Sequence, residues 1–401
     1  MSLLQSLHKA TSTIPVVNTH CHHQESDFFK GMHLRRFLER SYVSWVAPVP
    51  EPESEAPLEK EWFERVRYNS YFLSLQKGLR TLYGIEEPLS VSTWDIYDRA
   101  IREAHTDTEW HLKILREQCR YQRIIQDSYW DPGSAPAGDL FVLAFRVNMF
   151  FFFHDLLVCD HNGNNALQVY DIGEPFPALS DYLVFLYDAL KERKKDCVAF
   201  KCAIAYDRDL AFSDELSSDA GLCYSRLLSG NPKANDLRRV QNHIFFRMCE
   251  MAGDLEMPMQ CHVGLGILDR TRAIHLLEII EANSKTKFVL FHGSYPYLQD
   301  IYALCHNLQN VYADLCWLPL ISPSAAERFV SEYIEVGGGN TLTWGCDTWC
   351  SEESLGALIS AREVLCKVVA GKIQDGYFSE ADGLDFLHGV FYDNAKTIYD
   401  L

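Results

Sequence analysis

The sequence predicts an α/β protein, a (β/α)8 (TIM) barrel with a helical insertion after its first strand. Three observations carry that prediction. Eight short apolar, strand-like runs lie near residues 15, 124, 143, 199, 260, 290, 312 and 343, and helical patterns separate most of them. Chemically capable residues cluster at the ends of these runs: His20 and His22, Asp127, Arg146, Lys201, His262, His292 and Asp347. In such a barrel the C-terminal strand ends converge on one face. Finally, 401 residues suit one barrel carrying an insertion, so residues 1–401 read as a single domain.

Ile14–His22 is the first strand. Ile14, Val16 and Val17 are apolar and β-branched, and the run stops abruptly in polar residues. His20 and His22 stand two apart, so on a strand both point to the same side, which is how a metal site starts. Cys21 and His23 point the other way. Residues 24–118 hold no good strand and read as the helical insertion, a lid or an oligomer contact. Within it Phe28–Arg40 is amphipathic, and Ala47–Pro57, with four prolines among acidic residues, is an exposed loop. Trp62–Leu82 and Ser92–Gln118 return to helical periodicity, with Ser92 or Thr93 as N-cap.

The alternation then sets in. Arg123–Gln126 is a strand leading into Asp127, and Leu140–Arg146 one that ends in Arg146. The Asp181–Lys194 helix precedes a Cys197–Ala203 strand holding Lys201. The Asp236–Ala252 helix leads to Pro258–Val263 with His262, and the Thr271–Asn283 helix to Lys287–His292. The Tyr297–Asn307 helix leads to Val311–Asp314. A Ser324–Glu335 helix, with Ser322 or Ser324 at its start, leads to Thr341–Trp344, which ends near Asp347. Ser351–Val369, Phe378–Phe386 and Val390–Tyr399 close the chain.

Composition narrows the function classes. A formal net charge of −18 argues against nucleic acid or an anionic membrane as partner, since both need clustered cations. No run of 18 apolar residues exists, and Leu140–Phe153 is broken by Arg146 and Asn148, so the chain reads as soluble. The opening MSLLQSLHKATST lacks the basic start and apolar core of a signal peptide. Thirteen cysteines, an odd number without a C-x-x-C pair, suit a reducing cytosol and thiols used as small core residues. The expectation is a cytoplasmic protein whose partner is a small molecule, with a homo-oligomer left open.

Each candidate has an ordinary reading beside the chemical one. His262 in QCHVGLG and His292 in LFHGSYPY follow apolar runs and precede a glycine within two residues, which lets backbone approach a ligand; singly, each fits a satisfied buried histidine. Asp347 in WGCDTW could cap the next helix, a role Ser351 can fill. Facing four histidines, it fits better as a metal ligand that also acts as a base. Lys201, within VAFKCAIAY, is too costly to bury unpaired and is therefore paired, chemically modified or functional. Arg146 offers a planar fork for a substrate carboxylate, or for an internal ion pair with Asp127 or another acid. Tyr206 and Arg208, in KCAIAYDRDL, join Arg146 as a seat for an anionic substrate unless Asp127, Asp207 or Asp209 neutralises the arginines. His154, His161 and His388 read as structural or exposed. Gly337–Gly339 lacks a following G-K-[ST], and neither G-x-S-x-G nor a dinucleotide fingerprint is present.

At these residues the chain resembles the amidohydrolase superfamily. N-T-H-C-H resembles its D-x-H-x-H motif, with Asn18 in place of the acidic residue, and Lys201, His262, His292 and Asp347 match the remaining metal positions in order. KCAIAYDRDL, HVGLG, FHGSYPY and the closing YDNAKTIYDL resemble the amidohydrolase-2 branch, above all the amidohydrolase domain that some proteins fuse to glutamine synthetase. The helical insertion is similar to that of uronate isomerases. The resemblance implies a divalent metal, usually zinc. It implies two ions where a carboxylated Lys201 bridges them, and otherwise one ion held by His20, His22, His262 and Asp347 with His292 catalytic; the single ion is the expectation. It further implies hydrolysis of a C–N or C–O bond in a small carboxylate-bearing molecule, with Asp347 as base and His292 steadying the oxyanion. A uronate-type isomerase or a decarboxylase is the alternative, and a binding protein that kept the barrel a further one, since fold alone does not settle the reaction.

Overall fold

Strand follows strand in chain order around a single parallel sheet, β1 pairing with β2 and so on to β8, in the computed structural model, which describes residues 2–401. The strands are β1 (Val16–Cys21), β2 (Tyr121–Gln126), β3 (Phe141–Arg146), β4 (Cys197–Cys202), β5 (Met259–Cys261), β6 (Phe288–Leu290), β7 (Val311–Asp314) and β8 (Leu342–Thr343). All pairings are parallel, as helical crossovers require. Each of the eight runs anticipated from periodicity is a strand, because strands covered on both faces read as nearly continuous apolar runs; β2 departs from that at exposed Gln122 and Arg123. β1 ends at Cys21, so His22 lies one residue beyond it.

β8 is only two residues long, and the loop after it makes the seam with β1. Thr19 N–H donates to the Trp344 carbonyl (3.2 Å), Asp347 N–H to the His20 carbonyl (3.0 Å) and His22 N–H to the Thr348 carbonyl (3.0 Å). Asn18 fastens the same seam: its Nδ2 donates to Cys346 Sγ (3.0 Å) and its Oδ1 accepts from Cys346 N–H (2.9 Å). Deeper in the barrel, buried Asp314 accepts from the hydroxyls of Thr19 (2.5 Å) and Thr343 (2.7 Å), so the polar layer under the site is satisfied from three strands.

Between β1 and β2 the chain forms helices with their own apolar cluster around Phe37, Trp62, Phe72, Trp94 and Tyr97. Phe28–Arg40 is not one helix. A 3-10 turn at Ser26–Phe29 is separated from the Leu34–Glu39 helix by Gly31 at φ 65°, a conformation that ends a helix. Trp62–Leu82 also divides, into Lys60–Val66 and Ser70–Tyr83, because the Asn69 side chain accepts from Tyr71 N–H (2.9 Å) and starts a new helix. On the barrel side, Ser322 caps the Pro323–Val336 helix as its sequence suggests, whereas the Ser217–Leu228 helix was not anticipated. No helix among the described residues is long and apolar enough to cross a membrane.

The inserted helices dock through a crossing of two glycines. A Cβ at Gly78, in the Ser70–Tyr83 helix, would stand 2.4 Å from the Glu352 carbonyl oxygen. One at Gly356, in the Ser351–Gln374 helix, would stand 2.4 Å from the Ser74 carbonyl oxygen. Both obstacles are backbone and cannot swing aside. Gly356→Ala is therefore expected to destabilise the protein by about 1–3 kcal/mol despite alanine's better helix propensity. Thermal melting of the variant checks this, and an unchanged midpoint would mean the two helices are free to separate.

Candidate active site

His20, near the end of β1, and His22, just past it, both aim their rings at Asp347 in the loop after β8. His22 Nε2 lies 3.1 Å and His20 Nε2 3.6 Å from the same carboxylate oxygen, Oδ1, and all three side chains are buried. Asp127, after β2, stands 3.9 Å from His20 Nε2, and His292, after β6, 3.9 Å from Asp347 Oδ2. Three of the residues that shape this end of the barrel have left-handed backbone: His292 (φ 62°), Trp317 (φ 62°) and Asp347 (φ 58°). Non-glycine residues adopt that region rarely, and it gathers at functional sites, where the surrounding fold must hold it.

The hydrogen-bond inventory of the site is short of protons. A neutral imidazole carries one N–H. His22 Nδ1 lies 2.7 Å from the Asp127 carbonyl oxygen while its Nε2 faces Asp347, so a neutral ring satisfies only one of the two acceptors. The same holds deeper in. His292 reaches the Cys316 carbonyl with Nδ1 (2.7 Å) and His262 Nδ1 with Nε2 (3.0 Å), and His262 also reaches the Leu265 carbonyl. That makes three contacts for two ring protons. Burial and the Lys201 charge hold His20 well below its ordinary pKa, and burial brings His292 down to about 4, so both rings are neutral at pH 7. Burial works against the Asp347 carboxylate, but the His22 contact and the neighbouring imidazoles outweigh it and hold Asp347 well below the usual carboxylate range. Two imidazole nitrogens converging on one ionised carboxylate oxygen, with too few ring protons for every acceptor, fit a divalent cation, which supplies positive charge there.

Lys201, in β4, is buried and its Nζ has no hydrogen-bond partner among the described residues; it lies 3.6 Å from the centre of the Phe291 ring. Burial lowers its pKa to about 8. Of the three readings of this lysine, pairing with an acid is the one the geometry removes.

His20, His22, Lys201, His262 and Asp347 line a cavity of about 210 Å³. Tyr206 stands in its wall with its hydroxyl 3.5 Å from His262 Nδ1. Arg146 is there too, but Asp127 occupies its fork through Nε (3.1 Å) and Nη2 (2.5 Å). Arg208 lies outside this cavity. Its guanidinium donates to Gln241 (3.1 Å) and Asn242 (2.9 Å) and covers the Phe212 ring, because the Ile204–Tyr206 turn directs it away from the mouth. The expected pair of guanidiniums at one mouth is therefore corrected: one is ion-paired and the other faces a different surface. Asp209, considered as the neutraliser of Arg208, bonds mainly to Arg238, and Asp207 bonds to His161.

The cavity also holds residues that the sequence reasoning missed. Tyr42 and Trp45 enter from the inserted helices, and Tyr129 and Trp349 from the loops after β2 and β8. His161, read as structural or exposed, faces the cavity beside Asn162. The polar run DHNGNN at Asp160–Asn165 was the available signal, marking a tight turn.

Tyr42 is held by a buried acid. Glu353 Oε1 accepts from Tyr42 N–H (2.7 Å), its Oε2 has no partner among the described residues, and burial pushes its pKa up to about 8. In the unfolded chain a glutamate titrates at about 4.3, so the native state binds the extra proton between those values and stability falls as pH rises through that window. Glu353→Gln keeps the acceptor and removes the titration. Melting temperatures followed from pH 4 to 9 are expected to flatten in the variant, which should exceed the parent at pH 8; parallel curves would place an ionised acid at this position.

Comparison with known proteins agrees with this architecture. A family model described as Amidohydrolase matches residues 197–401, from the start of β4 to the C-terminus. A uronate isomerase of Nostoc punctiforme is 25% identical over 252 residues, 56% of this chain and 52% of that protein, so the match spans about half the length of this curated relative. The uronate isomerase of Thermotoga maritima superposes with a TM-score of 0.78 at 17% identity, covering 99% of this chain and 97% of that one. The glucuronate isomerase of Caulobacter crescentus does so at 0.74 and 15%, covering 99% and 94%. These two show a shared fold. With the family model matching more than half of its length, the chain belongs to the amidohydrolase family.

Proposed function

We propose that this protein is a metal-dependent isomerase of a small sugar acid of the uronate type. The observation that carries metal dependence is the convergence of His20, His22 and Asp347, two imidazoles and an ionised carboxylate in one buried cavity with too few protons between them. The likeness to a uronate isomerase favours isomerisation, and the aromatic walls of Tyr42, Trp45 and Trp349 suit the C–H faces of a sugar. Hydrolysis of a C–N or C–O bond is the second reading, favoured by the family and by an acid, Asp347, beside a neutral imidazole, His292.

His20, His22 and Asp347 would hold the ion, with His262 and His292 beside them; zinc suits this N and O donor set, and when bound it supplies Lewis-acid polarisation of a substrate oxygen. Asp347, ionised at neutral pH, takes a proton from one substrate carbon and returns it to the next. Tyr206 presents its hydroxyl to the substrate oxygens, while His292, whose two ring nitrogens meet the Cys316 carbonyl and His262, supports His262 from behind the cavity wall. Arg146, its charge offset by Asp127, would leave Nη1 for the substrate carboxylate, and the insertion covers the mouth and limits water. In this reading residues 1–401 act as one cytoplasmic catalytic unit with residues 24–118 as its lid.

One ion per chain is expected, with Lys201 outside its shell, so metal analysis should return about one zinc equivalent and Lys201→Met should retain it. Two ions, lost together in that variant, would point instead to a carboxylated Lys201 as a bridge. The reaction itself is tested by incubating the zinc-loaded protein with glucuronate and galacturonate. A product of unchanged mass with a ketone carbon signal supports isomerisation, and no conversion sinks it. Hydrolysis is tested on small amides and lactones of carboxylic acids, where product masses must sum to substrate plus one water.

A further inference from the structure

The loop after β3 builds a histidine into the cavity with more care than an exposed side chain needs. The Asp207 carboxylate grips His161 twice, accepting from its backbone N–H (2.8 Å) through Oδ1 and from its ring Nδ1 (2.8 Å) through Oδ2. That fixes the tautomer: Nδ1 carries the proton and Nε2 the lone pair. Asn162 Nδ2, donating to His161 Nε2 at 3.0 Å, agrees with that assignment. The loop is rigid in its own right. Asp160 Oδ1 accepts from the N–H groups of Asn162 (2.9 Å) and Asn164 (2.8 Å), Gly163 turns the chain at φ 85°, and Asn164 Nδ2 ties the loop to the Tyr129 carbonyl (2.8 Å).

What it presents faces the reacting centre. His161, Asn162 and Tyr206 line the same cavity of about 210 Å³ as His20, His22 and Asp347. The His161 ring lies 4.9 Å from that of Tyr206, which lies 4.5 Å from that of His262, so a file of rings runs from the mouth to the candidate metal ligands. A carboxylate that orients one imidazole nitrogen and leaves a lone pair on the other, met here only by the neutral Asn162 amide, is the arrangement of a general base.

We infer that His161, oriented by Asp207, is a second acid–base residue of this pocket, acting on the oxygens of a polyhydroxy carboxylate substrate. The inference rests on the isomerase reading and assigns the half of that reaction that one base leaves open. Interconverting an aldehyde and its neighbouring alcohol moves two protons. The C–H proton leaves the hydroxyl-bearing carbon and is delivered to the former carbonyl carbon, the work of Asp347. The O–H proton leaves that hydroxyl for His161 Nε2 and is returned to the former carbonyl oxygen. Two bonds to hydrogen break and two form, and no other reactant is needed.

Two measurements on the protein test this. Diethyl pyrocarbonate carbethoxylates unprotonated imidazole nitrogens, and peptide mass mapping reads each histidine's rate without any substrate. His161 is expected to react severalfold faster in the parent than in Asp207→Asn, while exposed His306 reacts equally in both. In the turnover assay with a uronate, His161→Gln is expected to lower kcat by about 100-fold or more with KM little changed. An Asp207→Asn variant with undiminished His161 reactivity overturns the inference, as does a His161→Gln variant with parental kcat. Failure of the parent to convert any uronate would overturn the isomerase reading alone, and the reactivity ratio would still decide whether Asp207 activates His161.

Discussion

Asp347→Asn is expected to lower turnover by about a thousandfold or more and to strip the bound metal, while leaving the fold intact. The substitution removes the only ionised oxygen shared by His20 Nε2 and His22 Nε2, at 3.6 and 3.1 Å. An amide neither accepts a proton at neutral pH nor offers an anionic ligand. The fold should survive because Asp347 sits at φ 58°, a left-handed conformation that asparagine tolerates far better than alanine or valine does. Metal content, kcat and melting temperature measured together separate the effects. Full turnover in this variant would mean that the base lies elsewhere, and retained metal would mean that the histidines suffice to hold it.

The largest effect on stability is expected at Asp127. Asp127 and Arg146 are both buried and bonded at two points, with the guanidinium also 5.3 Å from the centre of the Tyr129 ring. Burial disfavours both charges, yet each keeps the other ionised: Asp127 is held below the usual carboxylate range and Arg146 above its own. Asp127→Leu leaves a buried guanidinium alone and should cost about 3–5 kcal/mol, whereas the double change Asp127→Leu with Arg146→Met should recover much of that loss. Urea or thermal unfolding of the two single variants and the double one measures the coupling. Additive losses would mean that water reaches the pair. Because Asp127 takes Nε and Nη2 and offsets the charge, Arg146 has chiefly Nη1 left to offer an anionic substrate.

The strands were legible because each barrel strand is a short apolar run cut off by a polar residue. Local periodicity registers that pattern without knowledge of neighbours. Helix ends inside residues 24–118 were less legible. Asn69 and Gly31 interrupt apolar patterns that run on past them, and a cap is a local event that periodicity averages away.

Side-chain alternation along β1 and the placing of polar residues at strand ends were enough to bring His20, His22, His262, His292, Lys201 and Asp347 to one end of the barrel. A strand's direction determines where its last side chain emerges, so that set belongs to the sequence alone. Which groups pair across the site belongs to the tertiary structure. Arg146 meets Asp127 because β2 and β3 are neighbours, Arg208 turns away on the far side of a 3-10 turn, and Lys201 finds a phenyl ring where an acid was conceivable. His161 and the aromatic walls enter from loops and inserted helices far away in sequence, and no periodicity encodes the position of a loop. Strands carry their own geometry in their spacing, whereas loops take theirs from the contacts that close around them.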